Sequence, residues 1–89
     1  MSDADPAVVI DALGLLCPLP ILRCRQVLAL VPPGALVALL ADDEEITRDL
    51  PAFCEGSGHE LVSLRRDGGA WRGLVRRGSR PVEGMPKEA

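Results

Sequence analysis

Tyrosine and asparagine are absent from this chain, histidine occurs once (His59), and the aromatics are Phe53 and Trp71 alone. With so few rings the core must be aliphatic, and single-stranded nucleic acid would lack stacking platforms. A formal charge of −3 gives no general attraction to phosphate backbones, so direct nucleic-acid binding is not expected. A Cys–His–Asn arrangement cannot be assembled without asparagine, which argues against cysteine hydrolase chemistry. No apolar run approaches membrane-spanning length. The acidic start, Met1 to Asp5, lacks a basic region followed by an apolar one, so a secretory signal is not expected. These absences together point to a cytoplasmic chain whose thiols stay reduced.

Eighty-nine residues suffice for one small domain, expected over residues 8–78 with flexible ends at 1–7 and 79–89. Val8 to Leu13 form a β-rich run ended by Gly14. From Pro18 the apolar spacing turns helical, with Ile21, Cys24, Leu28 and Val31 on one stripe widened by Val27. Pro32-Pro33-Gly34 stops that helix. Ala35 to Ala41 is an almost unbroken apolar run, short enough to be a covered strand. Asp42 to Glu45 put acids where a second helix begins. Pro51 predicts a restart around Asp49, with Leu50, Phe53 and Cys54 as contacts and Gly56-Ser57-Gly58 as the stop. His59–Asp67 and Ala70–Arg77 flank Gly68-Gly69, a hairpin signal. The order βαβαββ predicts an α/β (α+β) two-layer sandwich, with two helices on one face of a mixed four-stranded sheet.

The chemistry concentrates at Cys17-Pro18-Leu19-Pro20. Cys17 falls at or next to the helix N-cap, and Pro18 near the first helical position, where its missing N–H costs nothing. The Leu19 N–H is free to point toward the sulfur, and the Gly14 turn to keep it accessible. At the positive end of a helix dipole, a thiol is expected to ionise with a pKa lowered from about 8.5 into the range of roughly 3.5–7.5. Cys17 has no partner in a C-x-x-C pair, and Cys24 falls on the apolar stripe, so a dithiol oxidoreductase is disfavoured. Cys24 and Cys54 read as buried small hydrophobes. The three cysteines and His59 lack the paired spacing of a zinc clip, and no metal is expected. A lone activated sulfur suits accepting, holding and passing on a group. A persulfide is the natural cargo.

The segment Asp11-Ala12-Leu13-Gly14-Leu15-Leu16-Cys17-Pro18-Leu19-Pro20 resembles the signature of the TusA/SirA-like family of small sulfur carriers. A second stretch also matches, from Ala41-Asp42-Asp43 through Thr47-Arg48-Asp49-Leu50-Pro51 and Phe53-Cys54 to His59-Glu60-Leu61-Val62. The resemblance spans about Ile10 to Arg77 and implies a βαβαββ sandwich. It implies that Cys17 receives a persulfide from a cysteine desulfurase or a rhodanese-type donor and relays it to an acceptor protein, as in tRNA 2-thiouridine synthesis or another sulfur-trafficking route. No cofactor is implied beyond that transient persulfide. Leu16 and Leu19 are apolar where tRNA-thiolation members often carry Arg and Glu, which makes this site greasier.

Around Cys17 the expected site-shaping residues are Gly14, Pro18, Leu19 and Pro20. Leu15, Leu16 and Arg25 are the candidates for partner contact, Arg25 being held evenly between that role and a solvated face. The acids at Asp42–Glu45 and the arginines Arg65, Arg66, Arg72, Arg76 and Arg77 are either solvated surface or electrostatic guides for donor and acceptor. The rival reading is a non-catalytic binding or regulatory module, which would keep its function in Cys17→Ser. A redox enzyme would instead need Cys24 as well as Cys17.

Overall fold

The computed structural model describes residues 5–80. The expected tails fall mainly outside that range, at residues 1–4 and 81–89. Six elements follow in order: β1 (Val8–Asp11), α1 (Leu19–Leu28), β2 (Leu36–Ala41), α2 (Ile46–Ser57), β3 (Glu60–Asp67) and β4 (Ala70–Arg76). The sheet order is β1-β2-β4-β3. β1 runs parallel to β2, with Ile10 opposite Leu39, and β4 lies antiparallel to both β2 and β3. The helices and the mixed four-stranded sheet are those the sequence pattern called for.

β2 is central and therefore almost wholly buried, which is why its sequence is an unbroken apolar run rather than an alternating one. Val37, Leu39 and Ala41 join Ile10 and Val75 beneath the helices, while Leu36, Ala38 and Leu74 form a separate cluster. Helix α1 buries Pro20, Cys24 and Leu28, spaced four apart, and α2 buries Ile46, Leu50 and Cys54 by the same rule. Ile21, Val27, Val31 and Phe53 pack at the margins of this core. A core without tyrosine leaves no buried hydroxyl to satisfy.

Three expectations change here. Helix α2 does not restart at Asp49: it is continuous from Ile46 to Ser57 with Pro51 inside it. A proline lacks only its own N–H, and one missing helical bond is tolerated where an apolar face anchors the turn on both sides. Leu50 and Cys54 do that anchoring. Secondly, Pro18 is the N-cap of α1 rather than its first residue, and Pro20 takes the second helical position. Thirdly, the hairpin arginines are not one basic surface. Arg77 is buried, Arg76 pairs with Glu60 at 3.2 Å, and Arg66 faces Glu44 at 3.8 Å and lies over the Trp71 ring.

Gly73 lets α2 approach the sheet. A Cβ at that position would stand 2.5 Å from Leu50 Cδ2, so only glycine admits Leu50 to this part of β4.

Candidate functional site

Two loops meet where the parallel strands β1 and β2 end. In open α/β sheets, the crevice beyond the carboxyl ends of parallel strands is where ligands collect. The loop after β1 carries Gly14 to Pro18, and the loop after β2 carries Asp42 to Glu45. Asp11 Oδ1 accepts the Leu13 N–H and turns the chain away from the strand. Gly14 then adopts φ +83° with nothing near its missing Cβ, so glycine is required there by backbone shape alone.

The acids of the second loop hold the first. Both carboxylate oxygens of Asp42 accept the Gly14 N–H at 3.1 Å. Asp43 Oδ2 accepts the Cys17 N–H at 2.8 Å, and its Oδ1 accepts the Glu45 N–H at 3.0 Å. One carboxylate thus ties the approach to α1 to the start of α2. These backbone donors, Glu45 first and then Cys17, hold the Asp43 carboxyl below its ordinary range.

Cys17 is exposed one residue before the α1 N-cap, across a cis peptide to Pro18. Its Sγ donates to Asp49 Oδ2 at 2.7 Å. The Leu19 N–H does not turn toward the sulfur, because it donates to the Leu16 carbonyl at 2.9 Å. The expectation of a lowered thiol pKa is therefore overturned. The hydrogen bond to Asp49 comes first, then desolvation, then the negative charges of Asp49, Asp43 and Glu45, and the Cys17 thiol is pushed up from 9.0 to about 11. A helix dipole reaching the sulfur through two prolines is outweighed by carboxylates in contact with it.

The other thiols are enclosed. Cys24 and Cys54 are buried in the core, and burial pushes them up to about 12 and about 11 respectively. A resolving role for Cys24 would need it at the surface.

The remaining expected residues divide. Leu16 and Leu19, beside Cys17 and Pro18 in the chain, are exposed, as are Leu13 and Leu22, Leu16 the most of the four at 71%. Pro18 is exposed beside Cys17, whereas Pro20 is buried and anchors the helix start. Leu15 is not part of the exposed apolar rim, since it packs partly buried against the core. Arg25 lies with its guanidinium 5.9 Å from the Phe53 ring centroid, a contact joining α1 to α2. Asp42, Asp43 and Asp49 are the members that reading the sequence as helix-start acids missed. The signal was present: all three stand in the second matching stretch, Asp42 and Asp43 immediately beyond a strand parallel to the one preceding Cys17 and Asp49 in the helix that follows. Among the described residues no group of three or more His, Cys, Asp or Glu side chains is placed to hold a metal ion, and no helix is long and apolar enough to cross a membrane.

The crystal structure of a SirA-like protein from Desulfitobacterium hafniense superposes with a TM-score of 0.70 at 32% identity, covering 81% of this chain and 99% of that one. The family model described as Sulfurtransferase TusA matches residues 8–77, from the first residue of β1 to just beyond β4. That span contains the Cys17 loop, the acidic loop and the whole sheet: the chain belongs to the TusA sulfurtransferase family, whose members act as sulfur carriers.

Proposed function

We propose that the chain carries sulfur as a persulfide on Cys17, taken from a cysteine desulfurase or rhodanese-type donor and relayed to an acceptor protein in the cytoplasm. The observation that supports it most is the contrast among the three thiols: Cys17 alone is exposed, on a loop held from two sides, while Cys24 and Cys54 are sealed in the core. Gly14 and Pro18 shape the loop, Pro20 seats the helix behind it, and Leu16 and Leu19 offer apolar contact to a docking protein. Thiolation of tRNA is one destination such a carrier could serve, alongside other sulfur-trafficking routes. The site supplies no general base beyond carboxylates, so partner proteins complete the reaction.

The test is intact-protein mass after incubation with a cysteine desulfurase and cysteine, or with a rhodanese and thiosulfate. A gain of one sulfur, removed by reductant and lost in Cys17→Ser but retained in Cys24→Ser, is the expected result. Absence of any gain from either donor would sink the reading. A non-catalytic binding module is favoured by one observation, the contact of the Cys17 thiol with the Asp49 carboxylate at 2.7 Å, which disfavours the thiolate. Under that alternative Cys17→Ser keeps full function in a cell that depends on the protein.

A further inference from the structure

A sulfur carrier must attack its donor with a thiol that has shed its proton. Here the thiol is embedded among carboxylates. Asp49 Oδ2 lies 2.7 Å from Cys17 Sγ, the two side chains coming from different elements 32 residues apart. The Asp49 side chain is only 23% exposed, and it sits in the first turn of α2, so the helix holds it in position. The other charges facing the sulfur are Asp43 and Glu45 from the loop before α2. Arg48 contacts Glu45 and approaches Asp49 Oδ1 at 3.4 Å, on the far oxygen from the thiol. The first turn of α1 contributes no acid, and Arg25 is engaged over Phe53.

We propose that Asp49 is the catalytic proton carrier of this site: it holds the Cys17 thiol as S–H when the carrier is empty and passes that proton through Oδ2 during sulfur transfer. The proposal rests on the carrier reading and assigns it a residue. In loading, Cys17 Sγ attacks the outer sulfur of a donor protein's persulfide. A new S–S bond forms to Cys17 as the donor's own S–S bond breaks, and the bonding pair departs on the donor's inner sulfur. The Cys17 proton moves to Asp49 Oδ2 and on to that leaving thiolate, so the products are the Cys17 persulfide and a donor thiol. No net oxidation occurs. Discharge runs the same path in reverse. An acceptor thiol gives its proton to Asp49 Oδ2 as its sulfur takes the outer sulfur of the persulfide, the S–S bond to Cys17 breaks, and Cys17 departs on regaining that proton from Asp49. A thiol of high pKa is a slow leaving group unless it is protonated, and Asp49 is placed to do that.

The test uses the full chain and a probe that needs no partner: the pH dependence of Cys17 alkylation by iodoacetamide, read by intact mass. Wild type is expected to react through a midpoint of about 11. In Asp49→Asn the midpoint falls toward the ordinary value, and alkylation near neutral pH rises about tenfold for each unit of that fall. Asp49→Glu keeps a carboxylate in reach and restores slow alkylation. In the second arm, loading from a persulfidated rhodanese slows in Asp49→Asn even though its thiol is more ionised, because the relay is gone. A purely structural role would slow both reactions or neither. An unshifted alkylation profile in Asp49→Asn overturns the proposal, as does loading that keeps pace with its faster alkylation. If wild type takes up no sulfur while the alkylation profiles shift as expected, the carrier reading fails and the Cys17–Asp49 proton contact stands.

Discussion

At the level of single residues, the chemistry is decided by which groups touch rather than by which lie close in sequence. Cys17 precedes a helix and should by that fact alone be acidic, yet Asp49 in contact reverses the sign. His59 shows the same rule in the core. Its Nδ1 accepts the Gly78 N–H at 2.9 Å, which requires the neutral ring, and its Nε2 is buried without a partner. Burial first, then the charges of Arg77 and Arg80, hold its pKa below 6.5. A histidine whose folded pKa is depressed adds stability above its unfolded value and loses it as pH falls through the folded one. The melting temperature is therefore expected to drop as pH is lowered from about 7 to about 5, a window above that of the carboxylates. His59→Gln, which can still accept from Gly78, should flatten that dependence in a thermal melt series. An equally steep loss in the variant would assign the effect elsewhere.

At the level of elements, the contact between α2 and β4 is a close one. Gly73→Ala drives a methyl group against Leu50, and Leu50 is fully buried. A loss of about 1–3 kcal/mol is expected from such overpacking. Leu50→Ala alone should cost about 2–5 kcal/mol through the cavity it leaves. The double variant should cost less than the sum, since the added methyl occupies part of that cavity. Denaturant unfolding of the four proteins measures the coupling directly, and simple additivity would mean the two residues do not meet. Because Asp49 precedes Leu50, the same packing sets the carboxylate against the thiol. Pro51 belongs to this argument: the sequence predicts a break there, but the buried faces of Leu50 and Cys54 carry the helix through it.

For the whole molecule, the loop that carries the sulfur has two unlike kinds of neighbour. Leu16 and Leu19, on either side of Cys17 in the chain, are exposed, and Asp43, Glu45 and Asp49 put negative charge at the thiol. A partner fitting both would present an apolar contact and a cationic group. Leu19 is half-exposed and outside the core, so Leu19→Glu should leave the melting temperature within about 4 °C of wild type, as surface changes usually do. It should also slow sulfur transfer from a donor protein several-fold by placing another acid beside the thiol. Stopped transfer assays with unchanged rates would remove Leu19 from the docking surface. Added salt should accelerate alkylation of Cys17 by screening the surrounding acids, a partner-free check of the same field.

Most of the architecture was legible because it depends on local pattern. The unbroken apolar run of β2 marks a covered strand, and the spacing of Ile21, Cys24, Leu28 and Val31 marks a helix with one buried side, whose fully buried members are Cys24 and Leu28 with Pro20. The sequence Cys17-Pro18-Leu19-Pro20 singled out the one cysteine that is exposed among the three, and helical spacing placed Cys24 in the core, where it is. These are properties of neighbours along the chain, and order of residues is enough to determine them. The protonation of Cys17, the engagement of Arg25 by Phe53 and the dispersal of the hairpin arginines depend on pairs separated by many residues. Coulomb and hydrogen-bond energies follow distance in space. Only the parallel pairing of β1 with β2, which brings the two loops to one end of the sheet, decides those distances.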